Sequence, residues 1–318
     1  MARYYRSDLQ KNAAVSNEIS GYAASAFAYL GAVDPAVRAA SFLTDQAWDA
    51  SSHAFPFEPA SPLVYFFDTG IIARGLLAAH RATGESRFLE RAQDASLSLA
   101  FDFMGDNEFH PVIELPEKHP LPREPRWSRS PGCYQLKSAL AWLETGGDPG
   151  ARLFELLLKN SLETHESFLS GLDRESVMDR LHAYCYFLEA LLWMADREVV
   201  RDALRGGIGR VAMLLREIGP QFERSDVCAQ LLRVRLIAHH VGAVELNISA
   251  AREEAARAAS YQSDSNDPRL RGGFWFGKKG GELLPFMNPV STAFSMQALA
   301  MWEQHQAGAW RFELSELI

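Results

Sequence analysis

The sequence predicts an all-α protein, an α/α toroid of about six helical hairpins with inner and outer helix rings. Three observations carry that expectation. A polar turn with an acidic residue recurs about every 50 to 60 positions, the apolar residues around it keep helical spacing, and the two helices of each repeat differ in kind.

The turns come first. Gly31-Ala32-Val33-Asp34-Pro35 is followed by Thr83-Gly84-Glu85-Ser86 and by Thr145-Gly146-Gly147-Asp148-Pro149. Ala195-Asp196-Arg197-Glu198 continues the series, and Gly242-Ala243-Val244-Glu245 is a weaker fifth case. The chemistry suits a hairpin. Gly ends one helix, Asp caps the next, and Pro in the first turn has no amide to leave unpaired. After these turns, Phe88, Ala92, Ala95 and Leu99 advance by threes and fours, as do Val200, Leu204, Ile208, Val211 and Leu215. Ile248, Ala251, Ala255 and Ala258 do the same.

These second helices carry a charged face, as at Glu90, Arg91 and Asp94. The first helices are apolar nearly all round, as in Leu181 to Leu188 and Val290 to Met296, and so must be buried on every side. That places first helices inside, near 17–30, 69–82, 132–144, 179–194, 226–240 and 289–305, with second helices around them. The sixth lacks a second helix, so either the N-terminal segment completes it or the last hairpin is truncated.

A single domain over residues 1–318 is expected, and the composition of 47% hydrophobic and 23% charged residues is that of a packed globule. A net charge of −8 argues against nucleic acid or an anionic membrane surface as partner. Glu117 and Glu124 dilute the one basic run, Arg123 to Arg129. The charged start, Met1 to Asp8, does not read as a signal peptide, and no stretch nears the roughly 18 apolar residues of a membrane span. Cys133, Cys185 and Cys228 are too few and scattered for a disulfide framework, so a cytoplasmic protein is expected.

In such a ring the short turns make one end dull. The long connections 51–68, 105–131, 171–178, 218–225 and 262–288 gather at the other, where a binding cleft is expected. They carry His53, Phe55, Phe57, Tyr65, Phe66, Phe67, Trp127, Phe274, Trp275, Phe276 and Phe286, part plug and part platform for an apolar ring face.

Tyr65-Phe66-Phe67-Asp68-Thr69-Gly70, running into Ile71 to Leu77 and then Ala82-Thr83-Gly84-Glu85, resembles a hairpin of the six-hairpin glycosidase superfamily. Gly272-Gly273-Phe274-Trp275-Phe276-Gly277, through Asn288-Pro289-Val290 to Phe294, resembles its closing hairpin. The chain is also similar to uncharacterised proteins associated with bacterial exopolysaccharide synthesis. The resemblance implies an α/α toroid with carbohydrate chemistry in the cleft: glycoside hydrolases, uronate lyases or sugar epimerases. An oligosaccharide or polysaccharide is the implied ligand, with no cofactor.

The resemblance directs attention to Asp68, Asp179 and Asp226, at or just before three inner-helix starts, where hydrolases resembling unsaturated glucuronyl hydrolase often place catalytic carboxylates. The competing reading makes each an N-cap. The aromatic surroundings of Asp68 favour a raised pKa there. Arg180, His182, Tyr184 and Tyr186 form a second candidate set, the vocabulary of a lyase or epimerase, with His182 and Tyr186 on one helix face. A hydrogen-bonded core histidine and packed phenols are the plainer reading. Tyr65, Phe67, Trp127, Tyr186, Trp275, Phe286 and Asn288 are the expected ligand contacts.

No metal site is expected. The cysteines read as small buried hydrophobes even with His182 nearby, and His110, His119 and His239-His240 lack ligand spacing. Lys278-Lys279-Gly280-Gly281 reads as a β-turn and not as a phosphate loop. A nucleophile elbow, a dinucleotide fingerprint and the paired aspartates of terpenoid chemistry are all missing. The expected function is glycoside hydrolysis through Asp68 with Asp179 or Asp226. The alternatives are lyase or epimerase chemistry through Arg180, His182 and Tyr184 or Tyr186, and a non-catalytic glycan-binding or scaffold protein.

Overall fold

A computed structural model describes every residue of the chain except 107 and 148, so the Asp148 of the third turn lies outside the described residues. Two short strands, β1 (Tyr5–Arg6) and β2 (Lys11–Asn12), precede α1 (Asn17–Tyr29) and α2 (Val33–Phe42). Then come β3 (Leu63–Tyr65), α3 (Phe66–Thr83), α4 (Ser86–Phe101), β4 (Val112–Glu114) and β5 (His119–Pro120). The middle of the chain is α5 (Gln135–Thr145), α6 (Gly150–Thr164), α7 (Arg174–Leu191), α8 (Glu198–Ile218) and β6 (Phe222–Arg224). The rest is α9 (Ser225–His240), α10 (Ile248–Ala259), β7 (Gly277–Lys279), β8 (Glu282–Leu283), β9 (Phe286–Met287) and α11 (Pro289–Gln306). The six expected inner helices are α1, α3, α5, α7, α9 and α11.

The chain forms two compact units. The first holds residues 1–3, 14–166 and 315–318; the second holds 4–13 and 167–314. In the first, α3 packs against α1, α2, α4 and α5; in the second, α9 packs against α7, α8, α10 and α11. The expected difference between first and second helices is present. Every residue of α9 from Ser225 to Ala238 is buried, whereas α8 buries only a stripe through Val200, Leu204, Gly207, Ile208, Val211, Ala212, Leu215 and Ile218.

The turns follow half of their predicted chemistry. Gly31, Gly84, Gly146 and Gly242 take φ values of 68°, 76°, 72° and 72° at the helix ends, a region open to glycine at little cost. Among the described residues, the acidic residues of these turns make no side-chain cap to α2, α4 or α8. The N-cap positions of α2, α4 and α8 are Ala32, Glu85 and Arg197, with no side-chain cap bond, and Asp34 sits one residue inside α2. Only the last of these helices has a side-chain cap, Asn247, which accepts from Ala250 N.

The expected sparseness of strands holds, because each sheet is three short strands drawn from two segments outside the helices. β3–β4–β5 stand ahead of α3 in the first unit; β6–β7–β8 and β2–β1–β9 belong to the second. Lys278-Lys279-Gly280-Gly281 is the β7–β8 hairpin turn, with φ of 59° and 87° at its glycines. No second helix follows α11. The N-terminal strand β1 pairs instead with β9, which leads into α11. Residues 315–318 belong to the first unit, where Arg74 Nη2 donates to Leu317 O (3.1 Å) and the buried Lys137 Nζ to Ile318 O (2.8 Å).

Close helix contact in the first unit depends on missing side chains. A Cβ on Gly21 of α1 would lie 2.9 Å from Ile72 Cα of α3, and one on Gly75 of α3 would collide with the Gly21 carbonyl. An exposed helical glycine with open space around it is replaced by alanine with a gain of about 0.5–1 kcal/mol. Gly209 of α8 has such space, so Gly209→Ala is expected to raise stability in urea unfolding by about that amount. Gly75→Ala is expected to lower it by about 1–3 kcal/mol, because the two backbones must separate. Equal effects of the two substitutions would refute the close-contact account.

Candidate functional site

The charged groups buried near inner-helix N-termini fall into two clusters, one in each unit. In the first, the chain enters α1 through Ser16, whose Oγ accepts from Ile19 N, and Glu18 is the second residue of the helix. Asp68 is the third residue of α3, the helix against which α1 packs. Asp68 is 7% exposed, and its Oδ2 is buried without a hydrogen-bond partner among the described residues.

An unbonded carboxylate oxygen in a dry place disfavours the ionised form. Burial pushes the Asp68 carboxyl well above its ordinary range, Glu18 adds like-charge repulsion, and Arg3 opposes both. Burial pushes Glu18, which is partly exposed, up to about 7 against the pull of Arg3 and Lys137. Each carboxyl thus holds its proton to a higher pH than an ordinary carboxyl does.

Aromatic groups surround the pair. The Arg3 guanidinium lies 4.5 Å from the Phe57 ring centre and pairs with Glu58 at 3.3 Å. Phe57 meets Tyr65 at 5.0 Å, Phe67 meets Tyr134 at 5.8 Å, and Tyr134 meets the half-buried Trp127 at 5.0 Å. Burial and the Asp68 charge push the Tyr134 phenol up, so it stays protonated and donates to Ser130 O (3.1 Å). Of the expected ligand contacts in this unit, Tyr65 and Phe67 are buried and Trp127 keeps some exposure.

In the second unit Arg224, the last residue of β6, organises Asp226 and Asp179. Its Nε and Nη2 donate to the two carboxylate oxygens of Asp226 (3.0 and 2.7 Å), and its Nη1 donates to Asp179 Oδ1 (3.0 Å). Burial alone would raise the fully buried Asp226, yet its carboxyl lies below the usual range because the Arg224 fork more than offsets desolvation. Asp226 and Asp68 occupy nearly the same place on their helices and titrate in opposite directions. The difference is a bidentate guanidinium.

His182 is buried beside Asp226. The Gln230 amide donates to His182 O (3.4 Å), which turns its carbonyl oxygen toward His182 Nδ1 at 2.8 Å. Nδ1 therefore carries the ring proton, and Nε2 accepts from Tyr186 Oη (2.7 Å). Asp226 Oδ2 lies 3.5 Å from Nδ1. Burial lowers the His182 pKa to about 4, so the ring is neutral and both nitrogens are engaged. This is the hydrogen-bonded core histidine that the sequence offered as its plainer reading.

Several candidates change role. None of Asp68, Asp179 and Asp226 is an N-cap: the cap positions of α3 and α9 are Tyr65 and Arg224, without side-chain cap bonds. The start of α7 moves to Arg174, because Asp173 caps it by accepting from Ser176 N, and this leaves Asp179 in the second turn, largely exposed. Arg180 turns away from His182, donating to Phe168 O (2.9 Å) and stacking on the Phe168 ring at 5.2 Å. Tyr184 and Tyr186 are buried. Asn288 is the N-cap of α11, accepting from Ser291 N. Phe286 stacks on Phe276 at 4.7 Å, and Trp275 is partly exposed. The three cysteines are buried free thiols. Glu18, Arg3, Arg224 and Gln230 escaped the sequence reading. The one available signal was an acidic residue in the first turn of α1, as in α3 and α9.

No protein-family model and no curated protein matches the chain. Solved structures do. Cellobiose 2-epimerase from Spirochaeta thermophila superposes with a TM-score of 0.69 at 13% identity, covering 92% of this chain and 87% of the epimerase. A D-mannose isomerase gives 0.69 at 10% identity, over 96% and 92% of the two chains. A GH76 α-mannanase from Bacteroides thetaiotaomicron gives 0.60 at 12% identity, over 94% and 89%. The chain thus has the α/α toroid fold that these structures share.

Proposed function

We propose that this protein is a carbohydrate-active enzyme, a glycoside hydrolase, whose acid and base are Asp68 and Glu18. The observation that carries the reading is the buried Asp68 oxygen without a hydrogen-bond partner among the described residues, on the first turn of α3, with a second carboxyl, Glu18, on the first turn of the packed helix α1. Hydrolysis of a glycosidic bond needs one carboxyl protonated and the other ionised at the same pH. Asp68, the more deeply buried, keeps the proton and gives it to the glycosidic oxygen as the carbon–oxygen bond breaks. Glu18, in contact with solvent, takes a proton from the attacking water and returns it to Asp68 through solvent. Phe57 and Trp127 offer apolar faces to the sugar. The toroid fold supports the reading, since proteins named as a mannanase and as sugar epimerases share it.

Those epimerases favour a second reading, in which the same pair moves a proton at a sugar carbon. Incubation of gluco- and manno-oligosaccharides in D2O, followed by NMR, separates the two. Hydrolysis yields new reducing ends without deuterium at carbon; epimerisation yields a diastereomer carrying deuterium. Absorbance from a new C=C bond marks lyase chemistry. The expected result is new reducing ends, lost at least ~100-fold in both Asp68→Asn and Glu18→Gln. Glycan binding with no product in any channel would leave a non-catalytic binding protein instead.

The raised Glu18 value also has a stability signature. Its folded-state pKa of about 7 exceeds the ordinary 4.5, so the stability linked to its protonation is present at low pH and lost as pH rises through about 7. Glu18→Gln removes that loss. The variant is expected to melt close to wild type at pH 5 and a few degrees above it at pH 8. A shift equal at both pH values would count against a raised pKa.

A further inference from the structure

The last residues of α9, His239 and His240, and His305 near the end of α11 form a histidine cluster in the second unit, separate from the groups around Arg224. Sequence spacing gave no reason to associate a metal with His239-His240, because the third histidine comes from another helix 65 positions beyond His240. Packing of α9 on α11 brings His240 Nε2 to 3.1 Å from His305 Nδ1. The His239 ring centre lies 5.3 Å and 5.8 Å from those of His240 and His305.

The two facing rings are held by aromatic neighbours. Trp310 lies flat on His240, with centres 3.8 Å apart and planes within 8°. Trp302 lies 5.8 Å from His305 at 22°. Such stacking fixes the ring planes, so the two nitrogens are aimed at each other in advance. Either one proton bridges them or an ion sits between them. Imidazole nitrogens bond Zn2+ at about 2.0–2.1 Å, so two ligands on one tetrahedral ion lie about 3.4 Å apart and two at a right angle about 2.9 Å. The observed spacing falls between these values.

We propose that His240 Nε2 and His305 Nδ1 are a two-coordinate site for a divalent transition metal ion, with water completing the coordination. No group of three His, Cys, Asp or Glu side chains among the described residues is arranged to hold an ion, so the site is bidentate, with His239 nearby as an outer neighbour. On binding, the bridging proton moves to the far nitrogen of the ring that carried it, so both facing nitrogens offer lone pairs, and the ion ties the end of α9 to the end of α11.

Calorimetric titration of untagged full-length protein with CuCl2, paired with electron paramagnetic resonance, tests this. The expected result is one saturable site per chain with two nitrogen ligands, emptied by excess EDTA. Affinity is expected to fall at least ~10-fold in both His240→Asn and His305→Asn, and less in His239→Asn. Circular dichroism confirms that these partly exposed variants fold. Unchanged affinity in the two variants, or no saturable binding, overturns the proposal.

Discussion

A helix that is apolar on every side has to be covered on every side, and the arrangement of charge in this protein follows from that constraint. α3 and α9 are each surrounded by neighbouring helices of their own unit. The groups on their first turns are drawn out of water with them, whatever their polarity. Gly21 and Gly75 let α1 and α3 approach until backbone touches backbone, and Asp68, on the first turn of α3, is 7% exposed. Burial of a carboxyl is here a by-product of helix packing, and the side chains that meet it decide its protonation state.

Asp68 and Asp226 show the two outcomes. Arg224 satisfies both oxygens of Asp226 and keeps it ionised, while its third nitrogen holds Asp179, so the ion pair ties α7 to the loop before α9 beside His182. Asp68 has no such fork, and burial together with the charge of Glu18 raises its carboxyl, so it holds its proton more readily than an ordinary carboxyl does. An engaged ion pair is inert, whereas such a proton is available for transfer. For that reason the proposed chemistry is placed on the poorly satisfied cluster. His182, with every polar atom of its ring occupied, is assigned a supporting role.

Much of the fold was legible in the sequence because its signals are local. Helix-ending glycines such as Gly84, threes-and-fours spacing such as Val200 to Ile218, and the uniformly apolar Leu181 to Leu188 depend only on near neighbours. The helix boundaries were less legible. α7 starts at Arg174, five residues before Asp179, because the Asp173 cap outweighs the apolar pattern. The site was legible only in part. Asp68 stood out by its aromatic flanks, but Glu18 sits among small polar residues, and its altered acidity comes from packing against a helix 50 residues later. Arg224 and Gln230 gain their roles through partners on α7, and His240 meets His305 only once α9 and α11 pack. Contacts of that range leave no periodic trace.

A proton shared by Glu18 and Asp68 near neutral pH, as proposed, has a direct spectroscopic signature. Carbon-13 NMR of side-chain carboxyls, followed from pH 4 to 9 in the wild type and in Asp68→Asn, observes that proton directly. The account predicts a Glu18 midpoint near 7 in the wild type that falls toward the ordinary carboxyl range once Asp68 no longer competes for charge. A wild-type Glu18 midpoint near 4.5, unmoved by Asp68→Asn, would contradict it.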